Sequence, residues 1–119
     1  MKVIIAGSRT FSIPTNPKNI FNWIENSGFE IDEIISGTAK GADFFGEYYA
    51  DLNKIPVKKF YPNWNKYGRA AGPIRNLEMA KYADALLAIW DSKSDGTRNM
   101  ISCMEQLNKP YRVYCYETE

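Results

Sequence analysis

The sequence contains no histidine. That removes the side chain most often used as a general base near neutral pH and the commonest nitrogen ligand of zinc. Any chemistry must therefore rest on carboxylates, hydroxyls, Arg, Lys or backbone dipoles. Cysteine is scarce: only Cys103 and Cys115 occur, both in apolar patterns and without metal-ligand spacing. They are expected to be buried free thiols in a reducing cytosol, not a disulfide. Neither sign of charge is in surplus, at a formal net +1, which weighs against extended nucleic acid as a partner. No apolar run nears the roughly 18 residues of a membrane span. The N-terminal run is too short for a signal peptide, so a cytoplasmic protein is expected, with no membrane partner. Repeats, linkers and low-complexity tracts are also missing, and 119 residues are read as one domain, 1–119.

What is present is an alternation of short apolar runs and amphipathic stretches. Ala85 to Trp90 (ALLAIW) has no polar residue, as expected of a strand buried on both faces. Val3-Ile4-Ile5-Ala6 is a second such run, and Ile31 to Ser36, Val57 to Tyr61 and Tyr111 to Tyr116 read as further strands. Lys58 and Lys59 place the Val57 strand near a sheet edge. Between the strands, Asn16-Pro17 opens a helix with Asn16 as cap and Pro17 as its first residue, and Ile20, Trp23 and Ile24 form its buried stripe. In the helix from Ala42 to Asn53, Phe44, Tyr48 and Leu52 recur at i, i+4, i+8 and read as the core face, flanked by Phe45 and Tyr49. Pro62 to Gly72 reads as a long polar connection carrying Trp64, Tyr67 and Arg69. These could stack a base or hold a phosphate, or Trp64 and Tyr67 could simply cover the end of the core. Pro73 begins the next helix, with the cation Arg75 and Asn76 in its first turn. Met100, Ile101, Met104 and Leu107 form the stripe of the last helix, which Pro110 ends.

The order βαβαβαβαβ predicts an α/β protein: a five-stranded parallel sheet, order 3-2-1-4-5, between two helical layers. That order makes the first and fourth strands central neighbours and puts the topological switch point between them. Three polar loops then converge on one crevice. Gly7-Ser8-Arg9-Thr10 leaves the first strand. Ser36-Gly37-Thr38-Ala39-Lys40-Gly41-Ala42-Asp43 leaves the second and enters a helix as an anion cradle, although it lacks the Gly-Lys-Ser/Thr end of a Walker A loop. Asp43 fits either a helix N-terminal acid or a ribose contact. Asp91-Ser92-Lys93-Ser94-Asp95-Gly96-Thr97 leaves the fourth strand and opens the last helix. The candidate ligand-binding residues are Gly7 to Thr10, Ser36 to Asp43, Arg69, Arg75, Asn76, Asp91, Ser94, Gly96 and Thr97.

GSRTF at 7–11, SGTAKGAD at 36–43, the W..YGRAAGPIRN pattern at 64–76 and D.....GT at 91–97 together resemble the SLOG superfamily. These are small Rossmann-like proteins including Smf/DprA, the Lonely Guy (LOG) phosphoribohydrolases and several nucleotide-binding branches. The chain is most similar to a short branch found in phages and bacteria. The resemblance implies a three-layer α/β/α fold and a nucleotide-like ligand whose phosphate lies against Gly96-Thr97. In LOG enzymes an Arg in an RK..M helix and a Glu three residues past the GT pair cleave the N-glycosidic bond of a nucleoside monophosphate. Arg75 and Met79 match the first motif, with Asn76 in place of Lys, and Arg75 is thus the candidate catalytic residue. The Glu position falls on Met100, which can neither activate water nor stabilise positive charge. Asp43, Glu78, Asp91 and Asp95 are the carboxylates that could substitute.

The leading expectation is binding of a nucleotide or nucleotide-derived signalling molecule. A nucleotide N-glycosidase is the alternative, and a single-stranded DNA-binding or interaction module of the Smf/DprA kind is the third. No resident cofactor and no metal site are expected, the carboxylates being scattered and histidine absent, although Mg²⁺ could accompany a phosphate. The tyrosines allow a homodimer or higher homo-oligomer without requiring one.

Overall fold

The computed structural model describes residues 1–116. The elements run β1 (Lys2–Gly7), α1 (Lys18–Glu25), β2 (Glu33–Ser36), α2 (Ala42–Leu52), β3 (Val57–Lys59), α3 (Trp64–Tyr67), a 3₁₀ turn (Gly68–Ala70), α4 (Ala71–Tyr82), β4 (Ala85–Trp90), α5 (Asp95–Gln106) and β5 (Tyr111–Cys115). All strand pairs are parallel, and the sheet order is β3-β2-β1-β4-β5. This is the Rossmann-like order expected from the sequence. Val3 to Gly7 of β1 align with Ala85 to Ile89 of β4, so the two loops leaving them start side by side.

The period of two along the central strands divides the core. Val3 and Ile5 of β1, with Leu87 and Ile89 of β4, face Ile20 and Ile24 of α1 and Phe45 and Tyr49 of α2. Ile4 and Ala6, with Leu86 and Ala88, face Met79 and Ala80 of α4 and Met100 and Met104 of α5. Both faces of β1 and β4 are thus dry, which is why their sequences are unbroken apolar runs.

Several local expectations need correction. The core face of α2 is Ala42, Phe45, Gly46, Tyr49 and Ala50, all buried. Phe44, Tyr48 and Leu52 are 60%, 36% and 53% exposed. The small residues decide the face: a Cβ on Gly46 would come within 2.8 Å of the Ile5 side chain, so α2 lies tight on β1 through Gly46 and turns the other aromatic row outward.

Residues 62–72 are not an irregular connection. They hold α3, the 3₁₀ turn and the first two residues of α4. The Asn63 side chain accepts from the Lys66 N–H (3.1 Å), capping α3. Helix α4 begins at Ala71 rather than Pro73. Pro73 sits within its first turn, where the missing N–H has no intrahelical partner to lose. Arg75 therefore lies in the second turn. In α1, Lys18 rather than Pro17 is the first helical residue, and Asn16 Oδ1 accepts from the Lys18 N–H at 3.2 Å. Trp23 is half-buried. Both cysteines are free, but only Cys103 is buried; Cys115 is exposed at the end of edge strand β5.

Candidate functional site

The C-terminal ends of β1 and β4 meet through a close backbone approach that sets the course of the loops leaving them. A Cβ on Gly7 would run into the Ile89 carbonyl, and one on Gly41 (φ +75°) would stand 2.7 Å from the Arg9 oxygen. Glycine is required at both places because main chains touch there. The Ser8 N–H donates to Ile89 O (2.9 Å), and Ser8 O accepts from Ala42 N–H (3.1 Å). The buried Ser8 hydroxyl accepts from the Asp91 N–H (3.0 Å) and from the Ser94 hydroxyl (3.0 Å). One short segment after β1 thus clamps the starts of both α2 and the β4–α5 loop.

Asp91 organises that second loop. One carboxylate oxygen accepts from the Lys93 and Ser94 N–H groups at 2.9 and 2.8 Å. The other accepts from the Thr10 hydroxyl at 3.4 Å. The bond from the Lys93 N–H, helped by that from Ser94 and the Ser8 and Ser94 hydroxyls, outweighs partial burial and holds the Asp91 pKa down at about 2.

Over these loops lies a cavity of about 580 Å³, within the roughly 300–1,000 Å³ of small-molecule sites. Ala6, Gly7, Met79 and Met100 give it apolar wall. Arg9, Arg69 and Arg75 bring cations, and Asp43 and Asp95 bring carboxylates. The first turn of α5 supplies Asp95, Gly96 and Thr97. The Ser94 side chain, engaged with Ser8, does not cap α5, so the free N–H groups of that helix end remain available to an anion. Thr97 is 4% exposed, and its hydroxyl is buried without a hydrogen-bond partner among the described residues. An orphaned buried hydroxyl is costly, and here it lies in a residue of the cavity wall.

Arg75 is half-buried. Its Nη1 donates to the Gly37 carbonyl and its Nε to Asn76 Oδ1 at 3.1 Å. Two of the guanidinium's five N–H groups are thereby used. Asn76, also buried, donates to Asn99 Oδ1 (2.9 Å) and to Gly96 O (3.3 Å), tying α4 to the start of α5. Burial pulls the Arg75 pKa below the usual guanidinium value; Asp43 opposes this and Arg9 adds to it. Asp43, 4% exposed, accepts from the Ala39 N–H at 3.0 Å. Burial raises its pKa above the ordinary carboxylate value, against the Ala39 and Gly7 N–H groups and the charge of Arg75. A Cβ on Gly37 would lie 2.8 Å from Asp43 Oδ2 and 3.0 Å from Arg75 Nη1, so Gly37 leaves the space in which these two groups approach.

Of the residues expected at the site, Gly7, Arg9, Thr10, Ala39, Asp43, Arg69, Arg75, Asn76, Ser94, Gly96 and Thr97 line the cavity. Ser8, Ser36, Gly37, Thr38, Lys40, Gly41, Ala42 and Asp91 stand outside the lining. Most of them shape the loops: the Ser36 hydroxyl donates to Glu47 (2.7 Å) and accepts from the Thr38 N–H (3.1 Å). Lys40 is exposed. Of the candidate carboxylates, Asp43 and Asp95 reach the cavity, whereas exposed Glu78 does not. Gly72, Pro73 and Asn99 line it although the sequence did not single them out as site residues. Asn99 stands three residues past Gly96, the helical spacing that was the available signal for it. Among the described residues no group of three or more Cys, Asp or Glu gathers to hold a metal ion, and no helix is long and apolar enough to cross a membrane.

Comparison with known proteins gives one family match. Residues 1–67, more than half of the 119, match the family described as YAcAr: YspA, cpYpsA-related SLOG family. No curated protein and no solved structure matches the chain.

Proposed function

The chain belongs to the YspA, cpYpsA-related SLOG family, and from that premise we propose that it binds a nucleotide or nucleotide-derived signalling molecule in this cavity. The observation that carries the reading is the buried, unpartnered Thr97 hydroxyl at the uncapped start of α5, in a cavity that Arg75 also lines. A phosphate there would meet free N–H groups at the positive end of the helix and pair with the unused donors of Arg75, and the Thr97 hydroxyl, now shielded from solvent, would reach it by a change of its side-chain torsion. Arg9 and Arg69 add positive charge, and the exposed Asp95 carboxylate, one oxygen of which accepts from Arg98 at 3.0 Å, leaves its other oxygen for a ribose hydroxyl.

The test is isothermal titration of nucleoside monophosphates and the matching nucleosides against the wild type and Arg75→Met. A charge-assisted bond is worth roughly 1.5–3 kcal/mol, so the variant is expected to bind the monophosphates about 10- to 150-fold more weakly and the nucleosides almost unchanged. Equal loss for both would remove Arg75 from the phosphate role.

One observation favours a second reading, hydrolysis of a nucleotide N-glycosidic bond. Asp43 is a buried carboxyl group of the cavity wall, across from the Arg75 guanidinium, whose pKa burial raises, the direction of shift that suits a carboxyl group to general acid–base work. Met100 cannot take that role. Release of free base by the wild type but not by Asp43→Asn would establish this reading, and an inert wild type would end it.

A further inference from the structure

We propose that Trp64 is the platform on which the base of the bound nucleotide stacks, so that the site prefers base-bearing nucleotides to sugar phosphates. The inference rests on the nucleotide reading and adds the residue that selects within it.

Three observations support it. Trp64 lines the cavity yet is 50% exposed, leaving an indole in water at the edge of the site. Its backbone is also ordered: it is the first residue of α3, whose turn Asn63 caps, and Gly72, with no side chain, leaves the space beside the indole open. Finally, it is unemployed. Trp23 packs edge-on to Tyr114, and Trp90 donates to Ser94 O and lies under Arg98. Among the described residues Trp64 makes no ring pair and no cation–π contact.

The gradient of exposure across the cavity orients a ligand. Thr97 is 4% exposed and Arg75 half-buried, whereas Trp64 and Arg69 are exposed. A molecule with an anionic end at Thr97 and Arg75 and a flat aromatic end at the mouth fits that gradient. A sugar phosphate would satisfy the inner end and leave the indole wet. Stacking suits the position because any base offers a π-face.

The experiment is isothermal titration of AMP, GMP, CMP, UMP and ribose 5-phosphate against the wild type, Trp64→Phe and Trp64→Ala, with circular dichroism confirming that the variants fold. Base–aromatic stacking contributes a factor of about 5 to 150 in affinity. At least one nucleotide is therefore expected to bind the wild type more tightly than ribose 5-phosphate by such a factor. Trp64→Ala should remove most of that advantage while shifting ribose 5-phosphate by less than about twofold, and Trp64→Phe should keep much of it. If ribose 5-phosphate binds as well as every nucleotide, or if Trp64→Ala weakens all ligands alike or none, the platform is refuted and the phosphate site stands. If neither ribose 5-phosphate nor any of the nucleotides binds the wild type, the nucleotide reading fails and the platform falls with it.

Discussion

Replacing Ser8 by Ala removes one oxygen and unfastens two site loops. Ser8 Oγ is the acceptor for the Asp91 N–H and for the Ser94 hydroxyl, each at 3.0 Å. The residue is fully buried, so water cannot readily replace the oxygen. Two hydrogen bonds at about 1 kcal/mol each, plus part of the cost of leaving the Asp91 N–H unsatisfied, give a loss of about 2–3 kcal/mol. For 119 residues the unfolding entropy near 60 °C is about 0.25 kcal/mol/K, so Tm should fall by roughly 10 °C. Urea unfolding supplies the free energy, and an unchanged m-value would show that the denatured state is not altered. Ser94→Ala breaks only one of the two bonds and should cost about 1 kcal/mol. In the double variant that bond is already gone, so the losses should fall short of additivity by about 1 kcal/mol. A loss below about 0.5 kcal/mol for Ser8→Ala, or strict additivity, would refute the clamp.

Three further outcomes are expected. Phe45→Ala should cost about 3–5 kcal/mol in urea unfolding, whereas Phe44→Lys should stay within about 0.5 kcal/mol, because Phe45 is fully buried and Phe44 is 60% exposed; the reverse order would mean that the face of α2 is wrongly assigned. Lys109 Nζ donates to the carbonyls of Ala80, Lys81 and Ala83 at 2.7, 3.0 and 2.7 Å, capping α4, so Lys109→Met should destabilise by about 1–3 kcal/mol and a neutral variant would contradict this. The Asp91 pKa falls from 3.8 to about 2 on folding, so its contribution is present above pH 3.8 and lost as pH drops through about 2. Screened at a half-exposed loop, it amounts to about 1 kcal/mol. Asp91→Asn should flatten the acid limb of the stability curve over that interval. Asp43, with its pKa raised by burial, acts in the opposite sense, and Asp43→Asn should leave that limb in place.

The sheet was legible because β1 and β4 are buried on both faces and so carry unbroken apolar runs. Their adjacency then brought the loops after Gly7, Ser36 and Trp90 to one crevice. Two features were harder to read. Helix α2 carries two rows of large side chains, Phe44/Tyr48/Leu52 and Phe45/Tyr49, one position apart. Periodicity cannot choose between them, and the choice falls to Gly46, whose missing side chain lets the helix seat on Ile5. The segment 62–72 contains Pro62, Asn63, Gly68 and Gly72, all turn formers, yet Asn63 serves as a cap and the residues after it form helical turns. Trp64 consequently starts a helical turn on the cavity wall. At the site, residue type foretold polarity but not aim. Lys40 and Asp91 share their loops with lining residues and stand outside the cavity, Lys40 exposed and Asp91 turned to its own loop's N–H groups.

The central claim is that the cavity binds a nucleotide and leaves it whole. It is tested most directly by incubating the protein with AMP, GMP, NAD, ADP-ribose and cyclic nucleotides, then analysing bound and free fractions by chromatography. The expected result is one or more intact nucleotides in the bound fraction, with Arg75→Met abolishing their retention. Free base in the reaction, or no nucleotide retained by the wild-type protein, would contradict it.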